Sequence, residues 1–421
     1  VRPHAYFHVL STIAPVRTLL LAIFMLMAGS GFMATLIGVR LERTGSSALV
    51  VGAVGTAYFV GLVIGSVRAG AVVGRVGHIR AFAAFVSLFS ASTLSYAIYR
   101  DPLLWSALRL IDGFCIAGVY VCLESWLNER AESKTRGTIL AGYMTALYMG
   151  QALGQFLLNV SDTKPSLPFV VASILISLAA IPVALTRIAA PKLEEVKTMA
   201  VRDLYAMSPL GVVGASVTGL MLGAFYALGA VYAQRTGMAL PAIAVFMSTV
   251  IIGGVALQWP LGLLSDRIDR RRVIVLAFAG TLAAGIGLFL VEAPRPLLLM
   301  LAAAFGGLSF ALYPLCVAHA NDRLPAEQRV SASGTLVLAY SVGAAMGPLA
   351  GAATMTIAGA PGLFLFIAAC AGCALLFGFW RQATALPVPV QEQGNYQVLP
   401  RTTPVSAALE PAAPTTAEKF P

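Results

Sequence analysis

Apolar residues in this chain are gathered into long runs of about 20 residues, the length an α-helix needs to cross a bilayer, each bounded by charges or by Pro and Gly. The runs lack strand alternation and are too long to be the buried strands of a soluble core. They predict twelve membrane-spanning helices, over roughly 18–39, 49–67, 79–99, 103–127, 138–159, 168–187, 210–232, 242–263, 273–292, 296–319, 331–356 and 361–380. The longest polar stretch between runs, Ile188 to Pro209, falls midway along the chain. After Arg381 the composition turns to Pro, Thr and Gln with few large aliphatics, which predicts a disordered tail. The expected organisation is therefore an N-terminal segment 1–17, a six-helix bundle 18–187, a central loop 188–209, a second bundle 210–380 and a tail 381–421.

Composition sharpens the class. Of the 421 residues 58% are hydrophobic and 11% charged, with a mean hydropathy of +0.84. A soluble domain carries about 25% charged residues, so a soluble enzyme, a DNA-binding protein and a secreted disulfide scaffold are all excluded. The net charge of +10 does not point to nucleic acid, because the 28 Lys and Arg residues collect in alternate loops. Only Arg40, Arg43, Arg100, Lys164, Arg235 and Arg295 fall in the other loops, and Arg109 lies within a span. Basic residues stay on the cytoplasmic side. The expectation is a multi-pass protein of a bacterial inner membrane with both termini in the cytoplasm and the lipid bilayer as its surroundings.

The five Cys residues, Cys115, Cys122, Cys316, Cys370 and Cys373, sit inside apolar runs and read as free thiols filling gaps between helices. Cys370 and Cys373 form a C-x-x-C, but without the βαβ context or basic neighbour of a redox motif. The first run, Leu19 to Val39, is too long for a signal-peptide core and is expected to be retained.

The two halves repeat. Arg43-Thr44-Gly45 recurs as Arg235-Thr236-Gly237, Gly70 and Arg75 as Gly262 and Arg267, and Asn128-Glu129-Arg130 as Asn321-Asp322-Arg323. Arg136, Gly150 and Gly154 recur as Arg329, Gly343 and Gly347, all at a nearly constant offset. Two bundles of one topology, related by an axis along the membrane normal, leave a central cavity between them.

On these residues the chain resembles the major facilitator superfamily of secondary transporters. Gly262-Leu263-Leu264-Ser265-Asp266-Arg267-Ile268-Asp269-Arg270-Arg271 is similar to its G-x-L-x-D-R-x-x-R-R loop, and Gly343-x-x-x-Gly347-Pro348-x-x-Gly351 to its G-x-x-x-G-P-x-x-G helix motif. Arg109 with Gly113 resembles its fourth-helix element. The end of span 4, Leu123-Glu124-Ser125-Trp126-Leu127-Asn128 followed by Arg136-Gly137, is similar to a poorly characterised bacterial branch. The resemblance covers residues 15 to 380. It implies an all-α membrane protein with twelve transmembrane helices in two six-helix bundles around a central cavity, moving a solute by alternating access. The chain departs from the pattern in its first half. Gly74 stands where the loop motif has Asp, and Gln155 where the helix motif has Pro in the span 5 version that accompanies antiporters.

Charges inside spans mark the candidate site, since one at bilayer depth costs about 2.5–3.5 kcal/mol. At about 100° per residue, Arg109, Asp112, Tyr120 and Glu124 share one stripe of span 4. That stripe reads as a cavity wall for a polar group or a proton, or else as a self-neutralising pair with Glu124 solvated at the inner interface. Span 5 has Tyr148, Gln151 and Gln155 on one face and Gly150 and Gly154 on the other. The small face permits close helix approach, as do Gly343, Gly347, Pro348 and Gly351 in span 11. The second half has almost no charge within its spans, so Phe225, Tyr226, Gln258, Tyr313 and Tyr340 are the recognition candidates there, with Tyr120 and Tyr313 as repeat partners. Each amide or aromatic has packing as its alternative role. Gating is expected at the loop motif, where Asp266, flanked by Arg267, Arg270 and Arg271 after Gly262, would latch onto Arg136 at the start of span 5.

No H-E-x-x-H, G-x-S-x-G or P-loop pattern is present, and the four His residues are scattered. Neither catalysis, a cofactor nor a resident metal is expected. The function expected is secondary transport by a monomer of a small organic solute, with protons as the coupling partner. Export of an amphipathic compound is favoured over uptake of a polar metabolite such as a sugar or organic acid. The reading from a different class is a transporter-like sensor or scaffold.

Overall fold

In a computed structural model of the chain, residues 12–132, 135–162, 164–185, 198–291 and 296–409 are described. The segment before Thr12, residues 188–197 of the expected central loop and the tail beyond Leu409 lie outside them. The described residues contain helices and connecting loops, with no strand among them. Span 1 comprises Arg17–Ser30 and Met33–Arg43, span 2 Ala48–Val76, span 3 His78–Ser95, span 4 Pro102–Arg130 and span 5 Arg136–Gly154. Span 6 comprises Leu167–Leu178 and Ala180–Ala184, and the short helix Val201–Met207 precedes span 7, Pro209–Arg235. Span 8 is Leu240–Ser265, span 9 Arg270–Leu290, span 10 Pro296–Asn321, span 11 Ala326–Ala358 and span 12 Gly362–Thr384. Ten of these are long and apolar enough to cross a membrane. Spans 3 and 5, which open on His78 and Arg136 and carry more hydroxyl and amide groups, complete the twelve.

The repeat in the sequence is a repeat in the packing. Spans 2 and 4, 1 and 5, and 3 and 6 pair in one bundle; spans 8 and 10, 7 and 11, and 9 and 12 pair in the other. Gly45 and Gly237, matched in the repeat, both adopt left-handed φ angles, 79° and 84°, to end spans 1 and 7. The expected small faces serve these pairings. Gly150 and Gly154 lie on the backbone of span 1 at Phe24 and Ala28, and Gly343, Gly347 and Gly351 on span 7 between Ser216 and Leu228. Pro348, by contrast, faces the other bundle and rests on Gly52 and Gly55 of span 2.

Span 1 is interrupted at Gly31, which sits against Gln151 of span 5. A break at membrane depth frees a carbonyl that must find another donor. Gln155 supplies it: its Nε2 donates to Gly31 O at 2.9 Å, and its Oε1 accepts from Thr35 Oγ1 at 2.9 Å.

The bundles meet at one mouth of the cavity. There Glu42 and Arg235 form an ion pair, Thr56 Oγ1 donates to Ala345 O at 2.9 Å, and Ser248 Oγ donates to Ala152 O at 2.8 Å. The other mouth is filled by the chain's own C-terminal segment. The disordered tail expected after Arg381 is thus not what the structure has over residues 385–409. This segment is short of large aliphatics and cannot build a core of its own, but it fills a core supplied by the two bundles. A short helix, Pro404–Leu409, packs between spans 4 and 11 with Pro404, Ser406, Ala407 and Leu409 buried.

Candidate functional site

Span 4 carries the polar stripe because its 29 residues run uninterrupted from the Asp101 cap to Arg130, which keeps Arg109, Asp112, Tyr120 and Glu124 in register. All four are buried. Arg109 lies 4.1 Å from the centre of the Tyr58 ring and 3.8 Å from the Asp112 carboxylate. Asp112 also accepts a 2.6 Å hydrogen bond from the Tyr96 hydroxyl. Span 4 therefore holds a cation whose counter-ion stands behind it, away from the cavity.

Glu124 is fully enclosed at 0% exposure. It is not solvated in this state but sits among hydroxyl donors. Oε1 accepts from Tyr143 at 3.1 Å and from Thr402, and Oε2 accepts from Thr403 at 2.5 Å. Hydrogen bonds to a charged group are each worth about 1.5–3 kcal/mol, and two of these three come from the tail.

The wall opposite is aromatic. Arg401 of the tail points its guanidinium at Phe310, Tyr340 and Tyr148, at 4.4, 5.6 and 5.9 Å from the ring centres, and donates to the Tyr226 hydroxyl at 3.4 Å. The rings face a cation with their negative π-surfaces. A cavity of about 150 Å³ remains beside the tail, lined among others by Arg109, Tyr120, Tyr148, Gln151, Tyr226 and Tyr340. That volume holds a few waters, at about 30 Å³ each, and not a drug-sized solute, which needs about 300–1,000 Å³.

Other candidates lie elsewhere. Gln155 bridges spans 1 and 5 as described. Phe225 packs in a ring cluster with Phe305 and Phe246 at 5.2 and 6.3 Å, inside its bundle. Tyr313 is edge-on to Tyr340 at 5.3 Å, so it supports the wall without lining the cavity, and its repeat partner Tyr120 does line it. Gln258 is buried outside the lining. Gln155 and Phe225 follow or adjoin the cavity residues Gln151 and Tyr226 in the chain, and only the neighbouring helix decides which face is covered.

The loop motif grips the tail. Asp266 accepts from Arg270 at 3.1 Å and from the Tyr396 backbone N–H at 2.8 Å. Arg270 also pairs with Asp322 and donates to Gly394 O at 2.6 Å, while the Gly394 N–H donates to Asp322 at 2.9 Å. Gly262 has no side chain because the Tyr396 ring occupies that space. Arg271 pairs with Asp269 at 2.8 Å and donates to Ala385 O, and Arg267 is exposed. Burial works against the Asp269 charge, but the bonds from Arg271 outweigh it and hold the carboxyl below its ordinary value. Arg136 is buried at the start of span 5.

Sequence reasoning missed Tyr58, Tyr143 and the tail residues Tyr396, Arg401, Thr402 and Thr403. The available signal in the tail was a lone Arg followed by two Thr within an otherwise uncharged stretch, residues 393–409.

Comparison with known proteins agrees with this architecture. The family model described as Major Facilitator Superfamily matches residues 19–292 and 210–414. The chain is 30% identical over 380 residues to the uncharacterized MFS-type transporter YcaD of Salmonella enteritidis, covering 89% of this chain and 98% of that one. It is 30% identical over 338 residues to YcaD of Escherichia fergusonii, covering 79% and 87%. Among solved structures, a bacterial homolog of the human lysosomal transporter Spinster, inward-facing and unoccupied, superposes with a TM-score of 0.73 at 13% identity, over 91% of this chain and 98% of that one. The nucleoside transporter NupG superposes with 0.71 at 13%, over 88% and 98%. Two bundles around a central cavity, the loop and helix motifs in place, and the family match over nearly the whole chain together show that this protein belongs to the Major Facilitator Superfamily of transporters.

Proposed function

We propose that the protein is a proton-coupled secondary transporter that moves a small amphipathic organic solute across the bacterial inner membrane by alternating access, in the direction of export. The observation that carries the reading is Glu124, a carboxylate with no exposure, enclosed between span 4, span 5 and the tail next to the cavity residue Thr402. A carboxylate so placed has to exchange partners whenever the cavity changes its opening, and a proton is the smallest partner available. Charged groups on span 4 facing rings of spans 7, 10 and 11 suit a solute with one polar and one apolar end. The excess of Lys and Arg on the tail side supports a cytoplasmic tail. On that assignment the mouth closed by Glu42 and Arg235 faces away from the cytoplasm. Closing the tail-side mouth would then bring Asp266 to the start of span 5, beside Arg136.

The test is solute flux in proteoliposomes with and without a pH gradient, for wild type and Glu124→Gln. Gradient-driven accumulation in wild type that is lost in Glu124→Gln, with exchange retained, is the expected result. An unchanged dependence on the gradient overturns the coupling role of Glu124.

A further inference from the structure

We propose that the cavity binds a small organic cation with a flat guanidinium- or amine-type head, and that the chain's own tail occupies the same site as an intramolecular competitor. The proposal rests on the transport reading for its purpose, since it names the solute class of that site. The chemistry of the walls carries it. Phe310, Tyr340 and Tyr148 present ring faces, Tyr226 an accepting oxygen and Glu124 two carboxylate oxygens, and all of them favour donors and positive charge. Among the described residues the one cation lining the cavity from the bundles, Arg109, is already matched by Asp112 and the Tyr58 ring. Glu124 is met by the hydroxyl groups of Thr402, Thr403 and Tyr143 and not by a cation, so no positive charge of the described residues pairs with it. Among the described residues Arg401 makes no ion pair. Its guanidinium is held by rings and a phenol, the arrangement that recognises a free organic cation.

The tail is an occupant, not a wall. It reaches the cavity from the end of span 12 as an irregular strap, 385–403, with only one short helical turn at Val390–Glu392. Its anchors at the mouth are Asp266 and Asp322, just after spans 8 and 10, and Arg270, the first residue of span 9. With the strap seated, Arg401 covers the faces of Phe310, Tyr340 and Tyr148 on which a cationic head would rest, and the 150 Å³ that remains lies beside it. Tail and solute therefore exclude each other.

The test is calorimetric binding of phenylguanidine and of its neutral isostere phenylurea to the detergent-solubilised full chain, without any gradient. The expected result is binding of phenylguanidine and not of phenylurea, with Arg401→Ala binding at least about tenfold tighter than wild type, because a larger fraction of sites is vacant, and Arg401→Lys close to wild type. Equal affinity for the two probes overturns the cation site, and equal affinity of wild type and Arg401→Ala overturns the competition. A second readout keeps Arg401 intact. Ser406→Cys, at a position 2% exposed, should react faster with N-ethylmaleimide when phenylguanidine is added, as quantified at that residue by mass spectrometry. An unchanged rate at saturating probe overturns the competition. Absent flux in liposomes beside normal probe binding would overturn the transport reading and leave the site standing.

Discussion

Glu42 and Arg235 join the two bundles through a pair of 2.8 Å hydrogen bonds at the closed mouth of the cavity. Arg235 is the repeat counterpart of Arg43, so the ends of spans 1 and 7 meet across the pseudo-symmetry axis. An exposed ion pair is worth about 0.2–1 kcal/mol. Glu42→Gln should raise the population open at this mouth by up to about fivefold. The measurement is labelling of a cysteine placed at Val54, inside the closed mouth, by a maleimide added from that side. The charge-swapped pair Glu42→Arg with Arg235→Glu should restore the wild-type rate.

Arg109→Ala should abolish flux while the protein still inserts. It leaves Asp112 with the hydroxyl groups of Tyr96 and Ser92 and no counter-ion, and breaking a buried pair costs about 3–5 kcal/mol when geometry is tight. The 3.8 Å separation places this pair toward the lower end. Detergent thermal unfolding should show the loss, and normal flux would remove Arg109 from the site.

Gln155→Leu should act on stability and not on recognition. It strands Gly31 O and the Thr35 hydroxyl, at about 1–3 kcal/mol for each unsatisfied buried group. Thermal unfolding should fall accordingly, while the affinity for a bound solute stays within twofold of wild type. A large change in affinity with unchanged stability would return Gln155 to the cavity.

Asp269 caps span 9 and is held below its ordinary value by Arg271. A depressed carboxylate adds stability above its unfolded value, near pH 4, and loses it as pH falls through the folded value. Asp269→Asn keeps the cap but removes the charge, so it should cost about 1 kcal/mol at pH 7. The difference from wild type should shrink steadily below pH 4. A difference independent of pH would assign the effect to packing.

The fold was legible because the bilayer imposes helices of one length, and because Arg43 to Gly347 repeat in order. The span 4 stripe was legible for the same geometric reason: Arg109, Tyr120 and Glu124 return to one face at helical spacing, and a buried charge must face something polar. For Phe225, Gln258 and Tyr313 the sequence left recognition and packing both open, since the face of a helix does not say which neighbour covers it. The tail was missed for a different reason. Low aliphatic content reports that a segment cannot bury a core of its own, and says nothing about whether it fits a vacancy built by others. Arg401, Thr402 and Thr403 have partners only because Phe310 and Glu124, far away in sequence, stand together.

The strap between Thr384 and Arg401 also sets a scale of concentration. A group tethered by a short flexible linker meets its site at an effective concentration of about millimolar. That concentration is fixed by the chain and does not change with expression or dilution. A solute scarce in the cell has to bind far more tightly than Arg401 to enter, while an abundant one enters by mass action alone. The tether thus gives the carrier a threshold: below it the cavity stays shut by its own chain, and above it the site opens to traffic.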